Sequence, residues 1–203
     1  MRTGGSFYYQ LGKANSGKDV KSLCYSVFAG VKIMKPMEIM AGYDHYSGTN
    51  LSRTDKAARE TNTFSTLYGS GHNFLGYMDH YTDIQSHTKG AGINDLYFRL
   101  NLILAEKHKL EGTCHLFSLD QKYITDAVIK FKEVNKDLGQ EINLMYTYTI
   151  NKQAELNAGY CFMMPTRTAE TLKGIAEGKS KFPQWAYVMI TWKPVFFTTA
   201  DKP

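Results

Sequence analysis

The ionisable residues of this chain fall into a recurring position. Lys32, Glu38, Asp44, Asp95, Arg99, Glu111, His115, Glu141, Glu155 and Lys193 each occupy the polar side of a segment in which polar and apolar residues alternate. A set of mixed sign, spread along most of the chain, does not make an acid–base pair. It suits the wall of a hydrated passage, where charges select solutes. Arg99, Lys193, Lys32, Glu141, Asp95 and His115 are the expected members of such a solute pathway, with Lys32 partly neutralised by Glu38. The same charges would also serve as an internal network of salt bridges.

A second set lies between residues 49 and 91, a connection too long for a plain loop. Tyr68, His72, Phe74, Tyr77 and Tyr81 interleave there with Asp79 and Asp83. The expectation is a segment folded into the interior, with Tyr68, His72, Phe74, Tyr77 and Asp79 forming a constriction whose rings stack on sugars. Packing the segment against the inner wall would use the same residues. Arg53, Lys56 and Arg59 earlier in the segment could meet lipopolysaccharide phosphates or simply form an exposed basic turn.

Other chemistry finds no support. His80, His87, Asp79 and Asp83 match no standard ligand spacing, so neither a metal nor a cofactor is expected. Ser86-His87 lacks a nucleophile elbow, and no Gly-rich phosphate loop follows a strand, so the chain does not read as an enzyme. A lipid-modifying enzyme would need Ser or His on the apolar side near a barrel rim, where His45 is the nearest candidate.

The elements that must position these residues are strands. Residues 140–164 read as one amphipathic hairpin: Ile142, Leu144, Tyr146, Tyr148 and Ile150 oppose Glu141, Asn143, Met145, Thr147 and Thr149, and after a turn at 151–153 the alternation resumes. About ten alternating residues per arm is what a tilted strand needs to cross a bilayer. The same template finds strands at 6–13, 20–34, 37–47, 93–104, 110–119 and 184–197, making eight with the hairpin arms at 140–150 and 154–164. Connections at 34–36, 105–109 and 151–153 are short, whereas 49–91, 120–138 and 165–183 are long, and residues 14–19 form a small loop at the long-loop end. That alternation matches the short periplasmic turns and long outer loops of bacterial barrels. Symmetric turns would place Lys32 opposite Glu38, Phe28 opposite Gly42, Arg99 opposite His115 and Asn101 opposite Thr113. Tyr146, Tyr148 and Trp192 fall near one end and Tyr43, Tyr160 and Phe162 near the other, as in two aromatic girdles.

Composition agrees. Fourteen Tyr and eleven Phe against five Pro favour strands. A mean hydropathy of −0.37 fits a barrel, in which every second residue faces away from lipid. Three scattered cysteines make no disulfide framework, and a formal charge of +5 is too modest and dispersed to suggest nucleic acid. The opening MRTGGSFYYQLGK has no signal-peptide core, so either a signal has been removed or the chain begins inside a longer protein.

Leu67-Tyr68-Gly69, His72-Asn73-Phe74, Gly76-Tyr77-Met78-Asp79 and the strand entry Gly92-Ile93-Asn94-Asp95-Leu96-Tyr97, followed by Gln184-Trp185-Ala186-Tyr187 and Trp192-Lys193-Pro194-Val195-Phe196-Phe197, stand in an order that resembles the alginate-export-type outer-membrane porins, particularly those of the Bacteroidetes. The resemblance implies an antiparallel up-and-down transmembrane β-barrel, all-β, of which residues 1–203 supply about the C-terminal half. It also implies passive passage of an anionic polysaccharide or other polar solute, with outer-membrane lipid, lipopolysaccharide and the barrel-assembly machinery as partners. Six residues follow Phe197, where an assembly signal of this kind commonly ends. A small closed barrel with an adhesive or anchoring role is the alternative, and a soluble ligand-binding barrel a further one.

Overall fold

Alternation becomes a sheet because period-two sequences place all their apolar residues on one side. The structure is a computed structural model and describes residues 1–66, 75–123 and 135–195. Eight long strands run in sequence as an antiparallel meander: β1 (Arg2–Lys13), β2 (Asp19–Met34), β3 (Met37–Tyr46), β5 (Ile93–Ala105), β6 (His108–Leu119), β7 (Asp137–Asn151), β8 (Ala154–Pro165) and β9 (Gln184–Trp192). Between β3 and β5 lie α1 (Thr54–Arg59), the two-residue β4 (Glu60–Thr61) and α2 (Ile84–His87), and α3 (Arg167–Leu172) follows β8. The fold is all-β, with every long strand paired to its neighbour in sequence. No β1–β9 ladder is present among the described residues, so the sheet has two edges.

All three short connections share one geometry. Lys35-Pro36, Glu106-Lys107 and Lys152-Gln153 each join two strands, and a register irregularity sits just inside each turn, at Lys32/Met34, Ile103/Ala105 and Thr149/Asn151. The carbonyl of the second turn residue then accepts from the following strand: Pro36 from Ile103 N–H (2.7 Å), Lys107 from Thr149 N–H (2.9 Å) and Gln153 from Lys193 N–H (2.8 Å). Bulges beside hairpins increase local twist and fix register.

The expected register holds around the first turn, where Lys32 stands opposite Glu38 and Phe28 opposite Gly42. Around the second it is corrected by two residues. Arg99 pairs with Thr113, Tyr97 with His115 and Asn101 with Glu111. Ala105 and Lys109, assigned to the connection from sequence, belong to the strands, so the hairpin centres on Glu106 rather than Lys107. A slip of two preserves the faces, whereas a slip of one would have inverted them. The last strand ends at Trp192 rather than 197: Pro194 has no N–H to give a ladder, and residues 196–203, including Phe197, lie outside the described residues.

The two faces differ sharply. One carries Phe7, Leu11, Val27, Val31, Ile39, Phe98, Leu104, Leu144, Met164, Val188, Ile190 and Trp192, all exposed. The other is covered by the long connections. Its core gathers Cys24, Tyr46, Ile93, Phe117, Leu119, Leu138 and Met163 from the strands with Phe64, Leu75, Tyr81, Ile84, Ala169 and Leu172 from those connections. Cys24, Cys114 and Cys161 are free thiols.

Candidate functional site on the covered face

Cross-strand neighbours arrange the covered face in rows. One row runs Gly4, Phe28, Gly42, Tyr97, His115, Glu141 and Met163; the next runs Gly30, Met40, Arg99, Thr113, Asn143, Cys161 and Trp185. Glycines make room for rings. The Phe28 ring lies over Gly4, Tyr97 over Gly42 and Tyr187 over Gly159, and a methyl group at any of these glycines would overlap its ring. Phe28 stands opposite both Gly42 and Gly4, yet its ring takes Gly4 because Tyr97 already fills the space above Gly42. Aromatic cover of strand glycines replaces the packing that glycine lacks.

The expected pathway residues divide into two groups. Asp95, His115 and Glu141 are buried, and the structure brings them together: His115 Nδ1 meets Asp95 Oδ2 at 2.7 Å, and His115 stands opposite Glu141 in the ladder. Asp44, paired in register with Asp95, accepts a hydrogen bond from Ser26 Oγ. His115 also stacks on Phe117 (5.5 Å between centroids). Arg99 is partly exposed and engaged with its neighbours. Its Nε donates to Thr113 Oγ1 at 3.2 Å and lies 3.5 Å from Glu111 Oε1, and its guanidinium sits 6.0 Å from the Tyr97 ring centre. Lys32 and Glu38 face each other without an ion pair among the described residues; Glu38 accepts instead from Asn101 Nδ2 at 3.4 Å. Lys193 lies just past β9 at the short-turn end, apart from the others, where its N–H caps Gln153.

The described parts of the long connection between β3 and β5 fold onto this face. Its two ends are drawn together. Gly48 and Gly92 approach so closely that a side chain on either would strike the other strand's backbone, and Thr49 N–H donates to Gly90 O at 2.8 Å while Thr63 Oγ1 donates to the same carbonyl at 2.5 Å. Gly48 N–H also donates to Asp120 Oδ2 at 2.8 Å. β4 returns to pair in parallel with the start of β2, where Lys21 meets Glu60 at 2.9 Å. Those lysine contacts hold the Glu60 carboxyl below its ordinary range. Lys56, one of the three basic residues expected to meet lipopolysaccharide, lies 3.6 Å from Glu60.

Beyond residue 74 the segment forms a plug seated on Glu141. Met78 N–H donates to Glu141 Oε1 at 3.0 Å, and Gly76, at φ +83°, lies so close that a methyl there would overlap the carboxylate. Leu75 and Asp79 also have positive φ, 62° and 57°, a conformation that costs non-glycine residues energy and persists where surrounding contacts impose it. Tyr81 is buried against Phe117, 5.1 Å between ring centres. Tyr77 is half-buried, and its desolvation raises the phenol pKa, with Glu111 adding to the effect and Arg99 opposing it. Of the five expected constriction residues, Tyr77 and Asp79 therefore belong to the plug, whereas Tyr68, His72 and Phe74 lie outside the described residues.

The residues weighed as metal ligands have other occupations. Asp83 caps α2 by accepting from Ser86 N–H at 3.1 Å, contacts that lower its pKa. His87 Nδ1 accepts from Asp83 N–H at 3.3 Å. His80 Nδ1 contacts Lys173 Nζ at 2.5 Å. No group of three potential metal ligands occurs among the described residues. His45 lies on the apolar face, stacked on Tyr25 (4.8 Å) and held by Asn94 Oδ1 at 2.7 Å.

Aromatic and polar pairs collect at both ends of the apolar face. His108 meets Tyr146 Oη at 2.6 Å and stacks on Tyr148 (4.9 Å) at the short-turn end. At the other, Tyr43 Oη donates to Asn94 Oδ1 at 2.9 Å, Tyr160 Oη donates to Gln184 Oε1 at 2.8 Å, and Phe162 packs on Phe182 (5.3 Å). Sequence reasoning missed Glu141 as the plug's seat and Tyr187 as the cover of Gly159. The alternation signalled only that each faces inward. Searched against protein-family models and against curated proteins, the chain matches none.

Proposed function

We propose that this chain is an outer-membrane porin-like channel protein whose eight long strands cross the bilayer and whose covered face lines a passage for a polar solute, an anionic polysaccharide among the candidates. The observation that carries this reading is the apolar face, on which the exposed side chains in the middle of β1, β2, β3, β5, β7, β8 and β9 are aliphatic or aromatic, and to which β6 adds the half-buried Leu110, Cys114 and Leu116. In water such a surface would be an aggregation hazard, whereas in a bilayer it is what a spanning strand requires. Tyrosine, histidine and tryptophan at its two ends fit the lipid–water boundaries. The resemblance of the motifs at 67–97 and 184–197 to alginate-export-type porins supports the same reading. So does the placement of every long connection at one end, which would face outward and meet lipopolysaccharide. No catalytic role is proposed.

A sheet edge cannot face lipid with its N–H and C=O groups unpaired. In the membrane β1 and β9 must therefore find partners, either each other or further strands, and the barrel-assembly machinery would be needed to insert them. One observation favours a second reading, a closed barrel with an anchoring or adhesive role. Asp95 and His115 are bonded to each other, Glu141 accepts from Met78 N–H of the plug, and all three are buried rather than lining open water.

Planar-bilayer recording on the chain folded in detergent, checked for a heat-modifiable gel band, separates these readings. Stable conductance supports the channel. A folded protein without conductance supports the anchored barrel, and a folded protein soluble without detergent overturns both.

A further inference from the structure

A recess of about 470 Å³ lies between the plug and the connection from β8 to β9. It opens on the covered side, because Met163 of β8 and His80 of the plug contribute to it. Its floor is apolar, made by Met163, Ile175 and Pro183, and its rim carries Lys173, Lys179 and Lys181. Ligand sites in general combine a concave apolar lining of this size with a few polar groups that fix orientation.

The charge of the rim is one-sided. The acid among the lining residues is Glu170, and its two oxygens are already engaged, accepting from Gly178 N–H and Ser180 N–H at 2.8 Å each. Neighbouring Glu177 is paired with Arg167. Among the described residues Lys173 is not paired with a carboxylate. Its ammonium donates to His80 Nδ1 and lies 5.9 Å from the centre of the Tyr81 ring. Although much of the side chain is in solvent, the ammonium is partly enclosed, and desolvation lowers its pKa. Burial likewise brings His80 down to about 4, so at neutral pH the imidazole is uncharged and accepts from Lys173. The proton then resides on Nε2, which is buried and has no partner among the described residues.

We propose that this recess binds a small organic acid, with its anionic group held by Lys173, Lys179 and Lys181 and its aromatic or aliphatic body seated on Met163, Ile175 and Pro183. A sugar ring offers too little apolar surface for that floor, and a bare inorganic anion offers none. The site is therefore distinct from a general polyanion pathway and does not depend on the sheet conducting ions.

The test is an equilibrium titration of the folded 203-residue chain in neutral-lipid nanodiscs with 2-naphthoate, read by probe fluorescence and corrected against empty nanodiscs. Saturable binding is expected, roughly fivefold to tenfold tighter than for uncharged 2-naphthamide, with inorganic phosphate competing only weakly. Lys173→Gln should weaken naphthoate binding by a similar factor and leave 2-naphthamide unchanged, while Ile175→Ser should weaken both. Lys107→Gln, in the turn between β5 and β6 at the opposite end of the strands, should change neither. Equal affinity for acid and amide, signal identical to that of empty nanodiscs, or full binding in a Lys173→Gln/Lys181→Gln double variant that retains its sheet circular dichroism would each overturn the proposal.

Discussion

Removing the Glu141 carboxylate should unseat the plug while leaving the sheet in place. Met78 N–H donates to Glu141 Oε1 at 3.0 Å in a buried setting, and a hydrogen bond to a charged partner contributes about 1.5–3 kcal/mol. With about 2 kcal/mol lost in Glu141→Ala, and about 1.4 kcal/mol per factor of ten, the plug's local opening constant should rise roughly thirtyfold. Glu141→Gln keeps an acceptor but loses its charge, so its effect should be about half in free energy, roughly fivefold. Global unfolding is a poor readout here, because deleting a buried carboxylate also removes its desolvation penalty, and the whole protein could gain stability as the plug loosens. Amide hydrogen exchange resolves the two. Protection at Met78 and Tyr81 should fall by the stated factor in Glu141→Ala, with protection in β6 and β7 retained. If Met78 exchanges within twofold of wild type while the sheet remains formed, the carboxylate is not what holds the plug, and the reasoning fails.

Gly42→Ala would drive a methyl into the Tyr97 ring, and overpacking of this kind costs about 1–3 kcal/mol. Denaturant unfolding of Gly42→Ala should show that loss, and adding Tyr97→Ser should recover part of it; an additive double variant would count against the ring-over-glycine account. The plug should also loosen in acid. His80 titrates near 6.5 when unfolded and near 4 in place, so the unseated state binds more protons between those values and stability falls as pH drops from 6.5 towards 4. Exchange at Tyr81 measured at pH 7 and pH 5 should show this, and His80→Gln should flatten the difference.

Much of the fold was legible because the chain writes it in the simplest periodicity. Each long strand keeps one parity almost wholly apolar, as at Val27, Ala29 and Val31 or from Leu96 to Leu104 in steps of two, so strand positions and faces could be read directly. Register was less legible. Around Glu106 the two-residue turn and the irregularity between Ile103 and Ala105, which leaves Leu104 unpaired, together set the ladder two residues from a symmetric hairpin, and no residue type there marks the extra position. β1 begins at Arg2 rather than Ser6, an extension hidden because Gly4 and Gly5 bring no side chain to the alternation; the Phe28 ring over Gly4 is what lets glycine serve in a strand there. The site was legible only as a list of inward-facing residues. That Asp95 bonds His115, that Glu141 seats the plug and that Arg99 lies against Glu111 depend on which strands neighbour one another and on a connection with no periodicity. Lys173 and His80 are further still from sequence logic, standing 93 positions apart.

Tyr46 and Ile93 are paired residues of a single ladder, and Gly48 and Gly92 continue that approach beyond it. The excursion between them thus leaves and re-enters at one point of the sheet, as a cartridge is held by its collar. Its contents can lengthen, shorten or change composition without separating β3 from β5, because their ladder closes below it. What covers this face of the sheet is in this sense an exchangeable part, and the strands that bear it have no need to evolve with it.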